Sequence, residues 1–526
     1  MSENKTDAVR IELSGRIDSN NSAKTEEDIN ARLEGCGSTA VILDGEALEY
    51  ISSAGLRVVL RLKKNHPDLC IVNVCPEVYD ILEMTGFTEM MRVERAYKVI
   101  STEGCEEIGR GANGTIYRID RDNVVKVFNN AGALEDIQHE REVAKLALVL
   151  GIPTAISYDV VRVGDSYGSV YEFLNARSFS KIIAEEPDKL DWCVSEYVKM
   201  LKTIHGTKVP PGKLPDMKET AVGWARFMKD YLPEEDGDKL VLLMEGVPSD
   251  DHMIHGDYHT KNLELQNDEV LLIDMDTLAV GNPVFELASM FNAYVGFSET
   301  DPEVIKKFQG FDAETAREFW KKTLAAYLGT SSETKIKEVE DKARIVGYTR
   351  LIRRSIRRGG LDTESGRAEI EHWKEELLEL LGRTDTLVFD PDELVIDALP
   401  ANLGEVQSFV GEKLEAAGCS PKAMMQTDVV VEEVFVNIAT YAYEPGTGKA
   451  KICVKISPDR SSAVITFTDS GMPYDPLSRQ DPDISLPAEE RGVGGLGVFM
   501  TKKLMDASSY EYRDGQNILT LRKNLF

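Results

Sequence analysis

The sequence predicts a multidomain protein that combines the α/β and α+β fold classes. A chain of 526 residues has room for roughly three or four domains, each with a core of its own. Strand-like and helical runs alternate in residues 1–100, a glycine-rich turn between strand-like runs opens residues 101–384, and a turn at 382–385 precedes another unit. We therefore expect domains at residues 1–100, 101–384 and 385–526.

The composition and charge are those of a globular protein without a polyanionic partner. Hydrophobic residues make up 42% and charged residues 29% of the chain, and the net charge is −29, with an acidic excess in all three segments. Such a surface repels nucleic acid and anionic membranes, so neither is expected as a partner. The seven cysteines have no C-x-x-C spacing, which indicates reduced thiols. Without an apolar signal segment or a run near the ~18 apolar residues of a membrane helix, we expect a cytoplasmic location.

A turn between a strand and a helix is the informative part of residues 1–100. Residues 44–64, DGEALEYISSAGLRVVLRLKK, place Ser52 and Ser53 where the helix begins. The free backbone N–H groups and the positive end of the helix dipole allow a serine there either to cap the helix or to carry a phosphate.

This turn, with ELSGRID at 12–18 and ILEMTGF at 81–87, resembles the STAS family of anti-sigma-factor antagonists. The resemblance implies a small STAS α/β domain in which Ser53, the serine before the small-residue-Gly pair, is phosphorylated. The family usually has Asp at the position of Ser52, so the choice between the two serines stays open.

A G-x-G-x-x-G turn lies near the start of residues 101–384. Dinucleotide-binding folds use the same spacing, but there the turn opens a helix, whereas residues 115–119 continue as a strand. Residues 124–128 then predict the strand of a phosphate-binding lysine, Lys126. The candidate nucleotide-binding glycines are Gly109, Gly111 and Gly114.

Two further features fit the same kind of site. The helical stretch that follows offers Glu140 and Glu142 as ion-pair partners of the lysine; periodicity does not separate them, and we favour Glu142. Residues 170–174, which include Glu172, are placed like the hinge between two lobes, where backbone groups hold adenine.

Residues 252–278 carry the oxygen ligands and the base of a phosphoryl-transfer site. Asp257 can accept a hydroxyl proton, and Asn262 and Asp274 offer the amide and carboxylate oxygens that magnesium-assisted transfer requires.

Zinc is the alternative for three histidines in the same stretch. His252, His255 and His259 have the spacing H-x2-H-x3-H, but no cysteine lies near.

The motifs H-G-D-x4-N at 255–262 and I-D-x-D at 273–276 resemble the aminoglycoside and choline phosphotransferase branch of the kinase-like superfamily. Gly281-Asn-Pro and Glu286-Leu-Ala follow as in that family, although Glu286 stands where Asp is more common. The resemblance implies a bilobal protein-kinase-like domain that uses ATP and Mg²⁺. It also implies that Asp257 is the catalytic base, that Asn262 and Asp274 are magnesium ligands, and that Lys126 anchors phosphate. The substrate stays open, because the family phosphorylates both small-molecule hydroxyls and proteins.

Four arginines stand out in this acidic chain. Arg350, Arg353, Arg354 and Arg357 recur at i, i+3, i+4 and i+7 and therefore share one helix face. Such a face is either solvated, or it docks on an acidic neighbouring surface or receives a phosphorylated group.

Residues 385–526 predict a second nucleotide site. In the helical stretch 427–443, Glu433 and Asn437 share one face among apolar neighbours, which suits either a structural polar network or magnesium-nucleotide binding. A strand then ends at Asp469, which can accept the adenine amino group, and a glycine-rich lid opens into a helix whose N–H groups can meet phosphates. The candidate glycines are Gly471, Gly492, Gly494, Gly495 and Gly497.

This order resembles the GHKL ATPases, and more closely the anti-sigma-factor serine kinases. The resemblance implies a GHKL α/β sandwich in which Glu433 acts as base, Asn437 holds magnesium, Asp469 binds adenine and the glycines close over the triphosphate of ATP. The substrates of that group are STAS serines.

The three resemblances predict a bacterial-type partner-switching protein with ATP-dependent serine kinase activity. The C-terminal kinase would act on Ser53 of its own STAS domain or on another STAS protein, with a sigma factor or another switch protein as external partner. The central kinase has an unknown substrate. The alternative is a kinase for a small hydroxylated or cationic molecule, regulated by flanking STAS and nucleotide-binding modules.

Overall fold

The computed structural model describes residues 8–34, 40–111, 114–130, 133–478 and 496–526. The chain divides into two compact units, residues 1–141 with 156–173 and residues 142–155 with 174–526. Each unit has its own sheets and buried clusters.

The first unit opens with a parallel sheet flanked by helices. Its elements are β1 (Val9–Ile17), α1 (Ser22–Leu33), β2 (Val41–Ile51), α2 (Ser53–Asn65), β3 (Cys70–Val74), α3 (Pro76–Met84), α4 (Phe87–Met90) and β4 (Val93–Arg95). The strand order is β1-β2-β3-β4, and side chains such as Leu13, Leu43 and Val59 form one buried cluster. The Ser52 amide donates to the Ile17 carbonyl oxygen at 2.9 Å, which fixes the turn into α2 against β1.

A mostly antiparallel sheet completes the first unit. Its strands are β5 (Lys98–Ile100), β6 (Glu106–Arg110), β7 (Gly114–Arg118), β8 (Asn123–Phe128), β9 (Asp159–Val163) and β10 (Ser166–Glu172), and helix α5 (Leu134–Val149) begins after β8. The order is β5-β9-β10-β8-β7-β6. Strand β7 pairs with β8, with Thr115 opposite Val127. The glycine-rich turn therefore continues into a strand, as the sequence predicts.

The second unit begins with a helical region built around one apolar helix. Its helices are α6 (Phe179–Glu185), α7 (Leu190–His205), α8 (Met217–Met228), α9 (Glu234–Glu245), α10 (Pro283–Tyr294), α11 (Pro302–Gln309), α12 (Ala313–Leu328), α13 (Glu333–Arg357) and α14 (Glu364–Arg383). Asn282 caps α10 by accepting from the Val284 amide at 3.1 Å, and Pro283 fills its first position. Residues 284–294 are all buried, and α10 packs against α13.

Short strands interrupt these helices where the site lies. They are β11 (Arg177–Ser178), β12 (Met253–Ile254), β13 (Leu263–Gln266), β14 (Glu269–Leu272) and β15 (Ala279–Val280). Strands β13 and β14 form a hairpin that also pairs with β11, and β12 pairs with β15.

An antiparallel sheet covered by helices ends the second unit. Its elements are β16 (Glu393–Asp397), α15 (Leu403–Ala416), α16 (Pro421–Asn437), β17 (Lys449–Ile456), β18 (Ser462–Asp469), α17 (Leu496–Leu504), β19 (Ala507–Arg513) and β20 (Gln516–Asn524). The strand order is β16-β17-β18-β20-β19. The predicted helix 427–443 begins earlier, at Pro421, and its last turn, residues 438–442, is a π-helix.

Helix α15 contacts the start of α13. Glu405 accepts hydrogen bonds from Ser332 Oγ at 2.6 Å and from the Thr334 amide at 2.9 Å. Glu412 accepts from the Ser331 amide at 2.9 Å. Two carboxylates of α15 therefore satisfy donors at the N-terminus of α13, where helical amides have no partner within the helix.

The first unit combines a parallel sheet and a mostly antiparallel sheet with helices, and the second unit combines a helical region with an antiparallel sheet. This combination confirms the predicted multidomain α/β and α+β class. Every helix in the described ranges is too short or too polar to cross a bilayer.

Candidate functional site

The catalytic candidates of the central segment lie on a loop between β12 and β13. The Asp257 side chain is 44% exposed, and its backbone amide donates to His255 Nδ1 at 3.3 Å. The other ring nitrogen, His255 Nε2, lies 3.3 Å from the Ile273 carbonyl oxygen. The histidine therefore ties the loop that carries Asp257 to the residue that follows β14.

A backbone hydrogen bond brings Asn262 and Asp274 together. The Ile273 amide donates to the Asn262 carbonyl oxygen at 2.9 Å, one residue before Asp274. Asn262 Nδ2 donates to the Asp257 carbonyl oxygen at 3.0 Å, so Oδ1 is the amide atom left for a cation. Asp274 has a left-handed backbone, with φ of 63°. An amide oxygen and a carboxylate are ligands that Mg²⁺ accepts, and these two residues fit the implied ion, which would neutralise phosphate charge there.

Glu286 holds this loop from the buried side. Its carboxylate accepts hydrogen bonds from the amides of His255 and Gly256, the second at 3.0 Å. Gly256 has φ of +80°, and a Cβ there would lie 2.6 Å from the Thr277 carbonyl oxygen, so only glycine fits. Burial raises the pKa of Glu286 to about 7, although the two backbone donors act in the opposite direction.

The surroundings of Asp257 keep its carboxylate ionised. Burial acts to raise the pKa of Asp257, but the hydrogen bond and charge of His259, followed by the charges of Arg350 and His255, bring the pKa below its ordinary value. An ionised carboxylate is the form that can orient a hydroxyl and accept its proton.

The three histidines of this loop do not share a metal. His252 Nδ1 lies 2.5 Å from Asp250, and His259 Nε2 lies 3.5 Å from Asp257. Because His255 bonds to a third partner, the described loop offers no common zinc position.

The lysine of β8 has a partner other than the one favoured from the sequence. Lys126 Nζ lies 3.1 and 3.0 Å from the two carboxylate oxygens of Glu140, which also accepts from the Tyr171 hydroxyl at 2.9 Å. Glu140 is buried and Glu142 is exposed. The prediction of Glu142 was wrong because the packing of α5 turns Glu140 inward.

The glycine-rich turn is partly described. The Gly111 amide donates to the Gly114 carbonyl oxygen at 2.9 Å, and the β6–β7 pairing shifts register next to Gly109. A Cβ at Gly114 would overlap the Val127 carbonyl oxygen, so β7 requires glycine there to approach β8 closely.

The predicted hinge residue Glu172 is the exposed last residue of β10. The next amide, that of Phe173, donates to the Asp122 carbonyl oxygen at 2.7 Å. This donor is therefore engaged within the unit and is not available to adenine.

In the C-terminal sheet region, Glu433 meets the start of α17. A Cβ at Gly497 would overlap the Glu433 carboxylate, so the glycine backbone lies directly against the predicted base. Asn437 is the last residue of α16 and is half-buried, one turn beyond Glu433. Three of the predicted lid glycines, Gly492, Gly494 and Gly495, lie outside the described residues.

Asp469 is held by a residue that the sequence analysis missed. Asn517 Nδ2 donates to Asp469 Oδ1 at 2.8 Å, and the Gly471 amide donates to the same oxygen at 2.9 Å. Asn517 also accepts from the Tyr474 amide at 3.1 Å. Because both donors use Oδ1, Oδ2 is the oxygen left for a ligand amino group, which fits a bound adenine.

The two serines of the first unit have different surroundings. Ser52 is the N-cap of α2, and its Oγ accepts from the Ala54 amide at 3.1 Å. Ser53 is the first helical residue and is exposed. A Cβ at Gly55 would lie 2.7 Å from the Ile51 side chain, so the turn packs tightly beneath an accessible Ser53 hydroxyl.

Three family models match the chain in the predicted order. The STAS domain matches residues 1–102, the phosphotransferase enzyme family matches residues 104–320, and the histidine kinase-like ATPase domain matches residues 396–523. A phosphotransferase family and an ATPase domain together imply that the chain binds ATP.

Two curated relatives come from Bordetella bronchiseptica. The chain is 32% identical over 90 residues to the serine/threonine-protein kinase BtrW. This match covers 17% of this chain and 63% of that protein. The chain is also 35% identical over 85 residues to the putative anti-sigma factor antagonist BtrV. This match covers 15% of this chain and 72% of that protein. The chain thus spans less than two thirds of the length of the kinase.

Two solved structures are similar to this chain over more than half of its length. The streptomycin-ATP-APH(2")-IIa ternary complex has 13% identity and a TM-score of 0.37 and covers 58% of this chain and 98% of that one. A choline/ethanolamine kinase family protein from Mesorhizobium loti has 13% identity and a TM-score of 0.36 and covers 53% and 88%.

Proposed function

Since the chain belongs to the STAS family at its N-terminus, to the phosphotransferase enzyme family in its centre and to the histidine kinase-like ATPases at its C-terminus, we propose that it is a partner-switching kinase. In this proposal the C-terminal domain transfers phosphate from ATP to Ser53. The central domain phosphorylates a hydroxyl of a separate substrate. A sigma factor or another switch protein binds the STAS domain in one phosphorylation state.

One observation carries the proposal: a single chain contains segments similar both to a protein named as a serine/threonine kinase and to one named as an anti-sigma factor antagonist. Joining an enzyme to its substrate raises the effective concentration to roughly millimolar when the connection permits contact. Weak intrinsic affinity between the two domains would then suffice.

The proposed chemistry uses groups at both ends of the chain. Glu433 accepts the proton of the Ser53 hydroxyl as its oxygen attacks the γ-phosphorus of ATP, and ADP leaves. Asp469 receives the adenine amino group and Asn437 holds Mg²⁺. The phosphate then adds about −1.5 to −2 charge at the start of α2, where helical amides stabilise it and acidic partners are repelled.

The proposal for the central domain uses Asp257 as base, Asn262 and Asp274 as magnesium ligands, and Lys126 as the phosphate anchor. The positions of the first three on one loop and the adjoining strand end support this use. The Asp257 side chain is half-exposed, which leaves room for a substrate hydroxyl.

Phosphosite mass spectrometry of the full-length chain after incubation with ATP and Mg²⁺ tests the serine kinase. We expect phosphate on Ser53 in the native chain and in Asp257→Ala, and none in Glu433→Ala. Phosphate on Ser53 in Glu433→Ala, together with its loss in Asp257→Ala, would assign the serine kinase activity to the central domain instead.

The second candidate function is a small-molecule kinase whose flanking domains only regulate it. The loop around Asp257 supports it, because the hydrogen bonds that hold Asp257 and Asn262 come from residues 255–286. In that case the native chain would carry no phosphoserine at residue 53, and Asp257→Ala would abolish ATP consumption stimulated by a hydroxylated compound.

A further inference from the structure

The arginine face of α13, formed by Arg350, Arg353, Arg354 and Arg357, starts at the catalytic loop. Arg350 Nη1 donates to the Gly256 carbonyl oxygen at 3.1 Å and to Ser289 Oγ at 2.9 Å. Gly256 directly precedes Asp257. The first arginine is therefore not a solvated surface residue but part of the support beneath the proposed base.

The next two arginines lie one helical turn farther along the same face. Positions three and four apart on a helix are about 5–6 Å from each other, so Arg353 and Arg354 are neighbours of Arg350, which contacts the catalytic loop. The charge of Asp257 acts on Arg354, and the charge of Arg350 acts on Asp257. These groups share one electrostatic environment.

Aromatic rings, rather than carboxylates, support the three guanidinium groups. Arg350 lies over Trp224 at 5.6 Å, Arg353 over Phe227 at 5.8 Å and Arg354 over Phe297 at 5.2 Å from the ring centroid. These rings are half-buried. A cation held over a ring face keeps its N–H donors free to bind a second group.

The arginine face also lacks the counterions that this chain has in abundance. The chain has 90 acidic and 61 basic residues, yet Arg353, Arg354 and Arg357 make no ion pair with any carboxylate in the described ranges. Burial, followed by the neighbouring arginine charges, lowers the pKa of Arg353 and of Arg354. A bound anion would offset the mutual repulsion of these charges.

We propose that the arginine face binds an anionic group, a phosphate or a carboxylate, on the molecule that the central domain phosphorylates. Arginine recognises both groups through paired N–H donors. One helical turn separates Arg353 and Arg354 from Arg350, which contacts the residue before Asp257, and we therefore expect a small molecule with a hydroxyl at one end and the anionic group a few bonds away. A cationic amine would be repelled.

This inference rests on the proposed role of Asp257 as the base of the central domain. It identifies the substrate of that domain as a hydroxylated molecule with an anionic group, whereas the sequence left hydroxylated and cationic molecules as alternatives. It also assigns Arg353 and Arg354 as specificity residues, while Arg350 is a positioning residue of the loop.

Isothermal titration of the full-length chain tests the inference, with both nucleotide sites first filled by a non-hydrolysable ATP analogue and Mg²⁺. The probes are glycerol 3-phosphate, glycerate, uncharged glycerol and choline. We expect the phosphate or the carboxylate probe to bind and glycerol and choline not to bind. Arg353→Gln and Arg354→Gln should each weaken that binding by about tenfold or more, because each removes a charged hydrogen bond.

Two control variants make the result specific. Arg317→Gln removes an exposed arginine of α12 and should bind the probe as the native chain does. Asp257→Asn should abolish turnover but keep the anionic probe bound, which separates failure of this inference from failure of the catalytic proposal. If Arg353→Gln lowers the thermal unfolding temperature, Arg353→Lys replaces it as the test variant. Lysine retains the charge and the packing length, and this variant should still weaken binding of the probe.

Three outcomes would overturn the inference. Unchanged affinity for the anionic probe in both glutamine variants would place the anion elsewhere. Tighter binding of choline than of glycerol 3-phosphate would show a cationic substrate. Binding of a polyglutamate peptide, without binding of either small anion, would make the arginine face a docking surface for an acidic protein.

Discussion

The ammonium group of Lys126 lies 3.0 Å from the Glu140 carboxylate, and the two side chains are only 16% and 10% exposed. Removing one partner of a largely buried pair leaves the other charge without compensation. We therefore expect Glu140→Ala to weaken one of the two ATP-analogue binding events by about tenfold or more. Calorimetric titration measures this, and the exposed Glu142→Ala is the matched control. Equal losses in both variants would contradict the assigned pair.

The two serines at the start of α2 should separate stability from modification. Ser52→Ala removes the cap that accepts from the Ala54 amide, so we expect a loss of about 1 kcal/mol in unfolding free energy and continued phosphorylation. Ser53→Ala should keep the stability and lose the phosphate. Urea unfolding and phosphosite mass spectrometry measure the two effects. Phosphate on Ser52 in the native chain would contradict the assignment of Ser53 as the modified serine.

The contact between Gly497 and Glu433 predicts that one methyl group displaces the proposed base. Gly497→Ala places a Cβ where the Glu433 carboxylate lies, so the end of this flexible side chain must move and we expect weaker Ser53 phosphorylation. Gly411→Ala on α15 has open space at the Cβ position and should be neutral or stabilising by up to about 1 kcal/mol. A kinase assay compares the two; normal activity of Gly497→Ala would remove Glu433 from the site.

Asn517 should contribute to nucleotide binding through Asp469. Without its donor, Asp469 loses one of the two hydrogen bonds that orient it, so Asn517→Ala should weaken the C-terminal ATP-analogue site by about tenfold. Asn524→Ala, at the exposed end of the same strand, is the control. Titration of both variants checks this, and full affinity in Asn517→Ala would show that Asp469 is oriented by other contacts.

The buried Glu286 predicts a pH-dependent stability. Its pKa rises from 4.5 in the unfolded chain to about 7 in the folded one, so its contribution is fully present below pH 4.5 and is lost as the pH rises through about 7. Glu286→Gln should match the native chain near pH 5 and be more stable relative to it at pH 8, by up to about 3 kcal/mol. Urea unfolding at both pH values measures this. A difference that does not change with pH would contradict it.

The proximity of Asp257 and Asn262 was predictable because the two residues are close in sequence. Asp257 and Asn262 are joined by a hydrogen bond within one short segment, and the spacing H-G-D-x4-N alone indicates it. The sequence did not show whether Glu140 or Glu142 is the partner of Lys126. Side chains two residues apart on a helix point in directions that differ by roughly 200°. Which of the two faces Lys126 therefore depends on how α5 packs.

Asn517 gave no local signal at all. It stands directly opposite Asp469 because β18 and β20 pair with that register, and the two residues are 48 positions apart. Strand register is set by packing of the whole sheet. Residues that support a site from a neighbouring strand are therefore found only once the fold is known.

The capping of α13 by Glu405 decides where the chain can be cut. A fragment that stops at residue 384 keeps the 25 residues of Glu333–Arg357 and the N-cap Ser332, but the Thr334 amide loses its acceptor Glu405, so the first turn of the helix should become less stable. Recombinant fragments of the region matched by the phosphotransferase family should therefore continue through α15. Cleavage by a protease near residue 384 would loosen the helix end farthest from its arginines.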